Sequence, residues 1–375
     1  SFNNKLMSNI NFQTFFDCGS SKIRAATFNI DNDNDVYFIE SEFLKDNISL
    51  ELKIKEIVTS LERDSNKYIN SINLMIDSPK MISISISLSK KLNGSKLKKE
   101  NIKFLVQEAK QEILKYYTGY NIAHIIINNY KIDGVDYPFL PDKINCNFFS
   151  LDILFICLPL ELVLNFKDIF SRLNILVDRI ICTSYAKSIH YKSNLNLSGP
   201  VSFIDVGFDK TSIITYLNDN IAMLDVLPVG GNHITKDLSK VLDISLQESE
   251  KIKLNFDQNQ NILTEEIEST DMLQKIIFAR TEEILELCNK SIKSNLFLNE
   301  KFKMVLTGDG SKILASKYKD NISFANDIDF LEETLENICW SGLRLILDPN
   351  KQEVVMVPKK SIKQGFFEKL FHIFR

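Results

Sequence analysis

One supersecondary unit is predicted twice in this chain, at comparable places in its two halves. The first copy covers Asn11–Ile30, in which two apolar strands flank the tight polar turn Asp17–Ser21. The second copy covers Val201–Leu217, where the turn is Asp205-Val206-Gly207. A strand, an Asp-x-Gly turn and a returning strand that recur in this way predict a duplicated α/β domain.

The stretch between the two copies predicts helices and a separate subdomain. Helical periodicity covers Leu50–Lys67 and Lys99–Tyr117. Ser83–Ser89 alternates serine with isoleucine or leucine, which predicts a strand with one polar face. From Ser78 to about Asp152, strands accompany the Lys99–Tyr117 helix, so we expect this segment to form a small subdomain of its own.

The second half of the chain adds helices and a third glycine-containing turn. Ile234–Lys253 and Thr270–Lys293 have helical periodicity. Phe302–Leu306 is predicted as a strand that leads into the turn Thr307–Ser311. Lys312–Lys317 then resembles the first turns of a helix.

Composition limits the classes of function open to the chain. Its 375 residues are enough for two or more packed lobes. A formal net charge of -4 and 44% hydrophobic residues are ordinary for a globular protein and not typical of one that binds nucleic acid. The six cysteines and four histidines are dispersed, so we expect no metal site built from them, and a reducing cytoplasm fits best.

Neither the beginning nor the most apolar stretch predicts a membrane span. Ser1–Gln13 is polar and rich in asparagine, so we expect no signal peptide there. Phe148–Phe166 is the most apolar run, but Asp152, Pro159 and Glu161 interrupt it. A buried strand followed by a helix explains this run better than a transmembrane segment.

The three turns have the composition of a nucleotide site. Glycine and small residues let several backbone N–H groups approach a phosphate, and hydroxyl or lysine side chains add donors. The candidate residues are Asp17, Gly19, Ser20, Ser21 and Lys22 in the first turn, Asp205, Gly207, Lys210 and Thr211 in the second, and Thr307, Gly308, Gly310 and Ser311 in the third. We expect Asp17 and Asp205 to lie near Mg²⁺ and to contact it through its water molecules.

These turns, in this order, resemble the signature of the actin/Hsp70/sugar-kinase superfamily, and within it the chain is similar to the FtsA family. The specific part of the resemblance is the sequence VLPVGGNHITKD at Val226–Asp237. Glu248–Lys253 matches the helix that lies beside the adenosine in this family, which adds Glu250 and Lys253 to the candidate nucleotide site. Val305–Ser311 is similar to the adenosine turn, and weaker similarity extends over nearly the whole chain.

The resemblance to FtsA implies an actin-like α/β fold of two lobes, with a subdomain inserted into the first lobe and a C-terminal amphipathic helix. The implied division is a first-lobe core at 1–77 and 153–198, an inserted subdomain at 78–152, a second-lobe core at 199–227 and 283–357, a small subdomain at 228–282, and a linker with a membrane-targeting helix at 358–375.

The same resemblance implies partners and a location. It implies ATP with Mg²⁺ bound between the lobes, polymerisation of the chain with itself, and recruitment of the tubulin-like ring protein FtsZ during cell division. The FtsZ C-terminal tail would dock on the small subdomain, where Arg280 matches a family arginine that contributes to docking. Later division proteins would bind as well, at the cytoplasmic face of the bacterial inner membrane.

The chain departs from the family pattern at positions that bear on ATP hydrolysis. Phe208 and Asp209 stand where the family usually has more glycine, and Asp309 replaces the middle glycine of the adenosine turn. An added carboxylate repels a nucleotide unless Mg²⁺ or Lys210 compensates it. Leu158–Glu161 offers no polar residue suited to positioning water, so the catalytic residues stay unknown and we expect a weak ATPase at most.

The last residues predict an amphipathic membrane anchor. On a wheel of about 100° per residue, the apolar half consists of Ile362, Phe366, Phe367, Leu370, Phe371, Ile373 and Phe374. Residues 359–375 have a formal charge of +4 against -8 for the rest, so Lys369 and its neighbours would attract anionic lipids. The apolar stretch would span only about 18 Å as a helix, which favours an anchor lying in the membrane plane. FtsA proteins resemble this, since they end in such a helix.

Two other hypotheses share the predicted fold. A pilus-assembly adaptor of the same superfamily would have the hairpins without needing the lipid-binding helix. A small-molecule kinase, for a sugar or acetate, would need a catalytic carboxylate in a setting that this sequence does not offer, and fold alone does not fix function.

Overall fold

The computed structural model of the chain describes residues 12–32, 35–42, 49–197, 199–256, 270–296, 302–314, 328–347 and 352–354. Its strands are β1 Phe12–Cys18, β2 Lys22–Asn29, β3 Val36–Glu42, β4 Ser71–Ile76, β5 Ile82–Lys91, β6 Tyr120–Ile132, β7 Val135–Tyr137, β8 Phe148–Pro159, β9 Leu176–Cys182, β10 Val201–Val206, β11 Thr211–Leu217, β12 Asn220–Leu227, β13 Lys303–Thr307 and β14 Ile328–Phe330. Its α-helices are α1 Leu50–Ser65, α2 Lys99–Tyr116, α3 Leu160–Arg172, α4 Thr183–Leu195, α5 Gly231–Leu242, α6 Leu246–Phe256, α7 Thr270–Leu296 and α8 Leu335–Leu347.

Two five-stranded sheets with the same topology confirm the predicted duplication. Their strand orders are β3-β2-β1-β4-β9 and β12-β11-β10-β13-β14. In each sheet the first three strands form an antiparallel meander, and the next two strands join parallel to the first one. Each predicted Asp-x-Gly turn joins the first two strands of its sheet, at the carboxyl end of β1 or β10.

A third sheet forms the inserted subdomain. Its strand order is β5-β8-β6-β7, and all its strands lie in the chain between β4 and β9 of the first sheet. The predicted alternation in Ser83–Ser89 is present in β5, where Ile84, Ile86 and Leu88 pack against the core beneath α2. This sheet has a hydrophobic core of its own, separate from that of the first lobe.

Helix α1 illustrates how apolar spacing positions these layers. Ile54, Ile57 and Leu61 are buried and recur at three- and four-residue intervals, so one stripe of the helix packs on the first sheet. The helix begins after Ser49, whose hydroxyl accepts a hydrogen bond from the N–H of Leu52. It ends at Asn66, which adopts the left-handed conformation that stops a helix.

Two predicted helical segments differ from the structure. The segment Ile234–Lys253, predicted to be helical, is divided into α5 and α6, because Asp243 adopts a left-handed conformation and ends α5. Ser245 then accepts a hydrogen bond from the N–H of Glu248 and starts α6. Of the predicted segment Lys312–Lys317, residues 312–314 belong to a 3₁₀ helix at Asp309–Leu314, and residues 315–317 lie outside the described residues.

Helix α8 lies in the range 283–357, which the implied division gives to the second lobe, but it packs on the first sheet. Residues of this helix contact β1, β2 and β3 of the first sheet. Gly342 lies so close to this sheet that an added Cβ would be 2.6 Å from the sulfur of Met75. The chain therefore returns to the first lobe before it ends. Among the described helices, none is long and apolar enough to cross a membrane.

Candidate functional site

The two Asp-x-Gly hairpins have the same backbone geometry. In the first hairpin (β1, its turn and β2) the N–H of Gly19 donates to the carbonyl of Lys22 at 3.0 Å. In the second hairpin (β10, its turn and β11) the N–H of Gly207 donates to the carbonyl of Lys210 at 2.9 Å. A Cβ added to either glycine would lie 3.1 Å from that same carbonyl oxygen, which explains why both positions are glycine.

In the first hairpin, Asp17 is buried at the end of β1. Its carboxylate accepts a hydrogen bond from the Thr183 hydroxyl at 2.9 Å and lies 3.5 Å from the guanidinium of Arg24. Burial raises the pKa of Asp17 above its ordinary value, because the positive charge of Arg24 and the Thr183 hydrogen bond offset desolvation only in part.

In the second hairpin, Asp205 pairs with a buried lysine from α4. The ammonium of Lys187 lies 2.8 Å from the Asp205 carboxylate and 2.8 Å from that of Glu333. Burial acts to lower the pKa of Lys187, but the charges of Asp205 and Glu333 outweigh it, so the pKa is raised. This lysine therefore stays protonated.

Glu333 connects this ion pair to the third turn (the glycine turn, Thr307–Ser311). Its carboxylate accepts hydrogen bonds from the Tyr191 hydroxyl at 2.6 Å and from the N–H of Gly308 at 2.8 Å. Burial raises the pKa of Glu333, although Lys187 opposes this. A backbone N–H that could have faced a nucleotide is thus bonded to the protein itself.

The glycine turn packs directly on the second hairpin. Gly308 has a positive φ of 87°, and a Cβ there would lie 2.4 Å from the Asp205 carboxylate. Gly310 is as tightly placed, since its Cβ would lie 2.8 Å from the carbonyl of Val206. Ser311 closes the turn by donating its hydroxyl hydrogen to the carbonyl of Gly308 at 2.7 Å. Thr307 is buried at the end of β13.

The FtsA-like block at 226–237 covers the other side of the second hairpin. The N–H groups of Gly231 and Asn232, at the start of α5, donate to the carbonyls of Gly207 and Phe208 at 2.9 and 2.8 Å. A Cβ on Gly230 would lie 2.5 Å from the carbonyl oxygen of Gly207. Glycine is needed at position 230 because two backbone segments meet there, whereas a Cβ on Gly231 would make only ordinary contacts at 3.6 Å or more.

Glu250 and Lys253 lie beside the glycine turn, on the buried side of α6. The ammonium of Lys253 donates to the carbonyl of Gly231 at 3.0 Å and to the Glu250 carboxylate at 2.6 Å. Burial lowers the pKa of Lys253, and Glu250 offsets this only in part. A Cβ on Gly231 would be 3.7 Å from the Cα of Gly310, so α5 and the glycine turn are in contact.

An ion-pair cluster joins the first hairpin to the glycine turn. Asp309 lies 2.5 Å from the guanidinium of Arg24 and 3.2 Å from the ammonium of Lys22, both on β2. Lys312 adds a third cation at 3.0 Å. Burial acts to raise the pKa of Asp309, but Arg24 and Lys22 outweigh it and hold the pKa well below its usual range. The compensation expected from Mg²⁺ or Lys210 therefore comes from these three side chains.

The other predicted site residues lie outside the ion pairs and backbone contacts described above. Ser20 and Ser21 are partly exposed in the first turn, and Lys210 is partly exposed in the second. Thr211 is fully buried and its hydroxyl donates to the carbonyl of Val229 at 2.7 Å, so it supports the second hairpin. Arg280 on α7 forms a two-pronged ion pair with Asp237 of α5, at 2.6 and 3.1 Å.

Sequence reasoning missed Arg24, Lys187 and Glu333. The one sequence signal for Lys187 is its place among small and aromatic residues in Thr183–Ser188, all of which the structure buries. Arg24 and Glu333 have no such signal, because a strand arginine and a loop glutamate are usually exposed.

The residues around Asp17 and Asp205 do not fit the Mg²⁺ ion that we expected there. Each carboxylate is already paired, Asp205 with the Lys187 ammonium and Asp17 with Arg24. A divalent cation next to a buried ammonium is repelled by it. Within the described ranges, no group of three or more His, Cys, Asp or Glu side chains is arranged to hold a metal ion.

Comparison with known proteins agrees with the sequence motifs. The family model "Cell division protein FtsA" matches residues 202–319. The chain is 25% identical to the FtsA of Buchnera aphidicola subsp. Acyrthosiphon pisum over 89% of this chain and 83% of that protein. It is 21% identical to the FtsA of Agrobacterium fabrum, over 73% of this chain and 66% of that protein.

Solved structures identify the fold. A chain of the PilM-PilN type IV pilus biogenesis complex superposes with a TM-score of 0.61 at 12% identity, covering 87% of this chain and 89% of that one. The ethanolamine utilization protein EutJ from Carboxydothermus hydrogenoformans superposes with a TM-score of 0.50 at 10% identity, covering 88% of both chains. At these identities the likeness concerns the fold alone. The predicted resemblance to the FtsA cell division proteins is thus confirmed, and the chain has the actin-like α/β fold that it implied.

Proposed function

We propose that this chain is an actin-like scaffold of bacterial cell division that polymerises, binds ATP between its lobes and tethers the FtsZ ring to the inner membrane. The observation that carries the proposal is the combination of two matching Asp-x-Gly hairpins with an FtsA-like sequence over most of the chain. Later division proteins would join the same assembly.

The ATP part of the proposal is supported by where the three turns meet. Phosphates would lie against the turns of the two hairpins, near Ser20, Ser21 and Lys210. The nucleoside would lie between the glycine turn and the Glu250–Lys253 side of α6. Since Asp309, Lys22 and Arg24 now join the two sides of this cleft, a nucleotide has to displace their ion pairs to enter. We therefore expect weak binding and little hydrolysis.

The membrane part rests on the amphipathic sequence of residues 362–374, which lie outside the described residues. The described segment just before them, residues 352–354, is held against the inserted subdomain. The N–H of Val354 donates to the carbonyl of Ile125, and that of Ile127 to the carbonyl of Gln352, both at 2.8 Å. The Glu353 carboxylate also lies 2.8 Å from the His124 ring. A tail that follows this segment would leave the protein beside the inserted subdomain.

The FtsZ part rests on resemblance and on the small subdomain formed by α5, α6 and the first half of α7. Arg280 lies on this subdomain, with about a quarter of its side chain exposed. Because Asp237 already binds its guanidinium, an acidic FtsZ tail would share or displace that pair. We expect Arg280→Ala to weaken binding of an FtsZ tail peptide more than Lys290→Ala, a change of an exposed lysine on the same helix.

Sedimentation with anionic vesicles tests the tether. The full chain should pellet with phosphatidylglycerol-containing vesicles and take FtsZ with it. Phe371→Asp/Phe374→Asp should stay in the supernatant, because it places charge on the apolar face of the tail. The matched control, Gln364→Asp/His372→Asp, makes the same charge change on the polar face and should lose much less binding.

Three outcomes would contradict the proposal. A full chain that stays in the supernatant contradicts the membrane role. A chain that pellets without FtsZ contradicts the tether. Phosphate transfer from ATP to a small sugar or to acetate would replace the scaffold by a kinase.

A further inference from the structure

We propose that the ammonium of Lys187 is a built-in cation that takes the place of a metal ion between the carboxylates of Asp205 and Glu333. The cation between these two carboxylates is then supplied by the protein and not by magnesium. This inference goes beyond the scaffold function and holds whether or not ATP binds.

The geometry of Lys187 is that of a coordinated cation. Its side chain is 5% exposed, and the Asp205 and Glu333 side chains are 19% and 3% exposed. The ammonium lies 2.8 Å from an oxygen of each carboxylate. An ammonium group has three hydrogens to donate and no acceptor, so it can bridge two carboxylates as a small cation does.

The partners of Glu333 fix the position of this cation. The Tyr191 hydroxyl and the Gly308 N–H donate to Glu333, so both oxygens of its carboxylate are held by groups other than the lysine. Tyr191 is on α4, as Lys187 is, whereas Gly308 belongs to the glycine turn. Lys187 and Glu333 therefore connect α4, the helix that joins the two sheets, to the turn of the second hairpin and to the glycine turn.

The charges around Lys187 leave little for a divalent ion to neutralise. Asp17, the other expected metal ligand, has Arg24 as its cation and the Thr183 hydroxyl as a donor. Asp309 has Arg24, Lys22 and Lys312. Mg²⁺ needs oxygen ligands at about 2.0–2.1 Å and keeps several waters, and the lysine already holds the oxygens of Asp205 and Glu333.

Removing the built-in cation should create a dependence on divalent ions. In Lys187→Ala, the buried carboxylate of Glu333 and the partly buried carboxylate of Asp205 face a space that the side chain has vacated. We expect a lower melting temperature in EDTA, and magnesium chloride at about 10 mM, without nucleotide, should raise it by roughly 2 °C or more. The wild-type chain should melt at the same temperature in magnesium and in EDTA.

The matched control is Lys192→Ala on the same helix. Lys192 pairs with Asp219, whose side chain is 80% exposed, so its removal leaves no buried carboxylate. This variant should show no response to magnesium. The assay contains no ATP, so its result is independent of whether the proposed nucleotide or membrane function is right.

The inference is overturned if magnesium stabilises the wild-type chain, or if Lys187→Ala folds and does not respond to magnesium. If Lys187→Ala does not fold, Lys187→Met/Asp205→Asn/Glu333→Gln removes the cation together with both of its carboxylates. That triple variant should fold and be indifferent to magnesium, and a magnesium response there would contradict the assignment as well.

Discussion

The two hairpins have matching backbone hydrogen bonds, but the cation that pairs with the turn aspartate comes from a different structural element in each. Asp17 is paired with Arg24, which lies on the second strand of its own hairpin. Asp205 is paired with Lys187, which lies on α4 and comes from outside the hairpin. The turns themselves are superimposable in hydrogen bonding, with the glycine N–H donating to the third residue after it in both.

This difference indicates which features a duplicated unit keeps. The turn geometry is set locally, by a glycine that leaves room for a carbonyl 3.1 Å from its absent Cβ. The counter-ion of each aspartate depends on tertiary packing, and it differs because α4 contacts the second hairpin through Lys187 but the first through Thr183. A duplicated backbone can therefore diverge in electrostatics without losing its fold.

The largest effect is expected from removing the counter-ion of the second hairpin. Lys187→Met leaves Asp205 and Glu333 buried without their cation, and breaking a buried ion pair in this way costs about 3–5 kcal/mol. Lys192→Met removes a surface pair and should cost under about 1 kcal/mol. Urea unfolding followed by circular dichroism measures both. Equal losses for the two variants would mean that the buried pair has no special role.

An added methyl group at Gly230, where the FtsA-like block packs on the second hairpin, should destabilise the chain more than one at Gly19 in the turn of the first hairpin. A Cβ on Gly230 meets two backbone carbonyls, at 2.5 Å from Gly207 and 2.7 Å from Phe208. We expect Gly230→Ala to destabilise the chain by about 2–3 kcal/mol, since backbone atoms cannot move aside easily. Gly19→Ala, with one contact at 3.1 Å, should cost about 1 kcal/mol.

A control for these glycine variants is Gly119→Ala, because nothing lies within 4 Å of a Cβ there. It should be neutral or slightly stabilising in the same urea experiment. If Gly230→Ala unfolds at the same urea concentration as Gly119→Ala, the contact between the FtsA-like block and the second hairpin is looser than the structure has it.

The sequence predicts the elements that depend on local pattern. The hairpins follow from strand periodicity around an Asp-x-Gly turn, and α1 follows from the spacing of Ile54, Ile57 and Leu61. The grouping of the three turns at one site followed from their order and the resemblance. The hairpins and α1 depend on residues close together in the sequence, whereas the grouping of the three turns rests on the resemblance.

The features that sequence reasoning missed depend on distant contacts. Lys187 and Glu333 are 146 residues apart, and Arg24 and Asp309 are 285 apart. The sequence around each of these four residues does not indicate which distant residue it contacts. The return of α8 to the first lobe is similar, since its apolar stripe predicts burial but not which sheet buries it.

Removing Arg24, the counter-ion of the first hairpin, should cost less folding free energy than removing Lys187, the counter-ion of the second. Arg24 contacts Asp17, Glu40 and Asp309, but part of this cluster is open to water, as Glu40 and Asp309 are about one-third exposed. We expect Arg24→Gln to cost about 2 kcal/mol, between the values for buried and surface pairs. Lys22→Gln, which loses only the more exposed contacts, should cost less than about 1 kcal/mol. A loss for Arg24→Gln as large as for Lys187→Met would remove the distinction between the hairpins.

The smallest expected effect is a pH-dependent difference in stability between variants of Asp17 and Asp309, the two carboxylates that share Arg24. The pKa of Asp309 is lowered, so its contribution to stability is present above its unfolded pKa near 3.9 and is lost as the pH falls through the lower native value. The pKa of Asp17 is raised, so its charged form opposes folding above that range, and protonation relieves this as the pH falls.

Asp309→Asn should therefore destabilise the chain at pH 7 by about 1 kcal/mol, a value reduced for solvent screening of this partly exposed side chain. The loss should shrink as the pH falls below about 4, because the Asp309 carboxylate of the unfolded chain is protonated there while the native carboxylate stays charged. Asp17→Asn should cost less at pH 7, because the neutral amide avoids the desolvation that raises the pKa of Asp17. Urea midpoints at pH 7 and pH 3.5 compare the two variants. The pKa directions predict a larger loss of stability at pH 7 for Asp309→Asn than for Asp17→Asn. The opposite order would mean that the pair of Arg24 with Asp17, within the first hairpin, stabilises the chain more than its pair with Asp309, between the lobes.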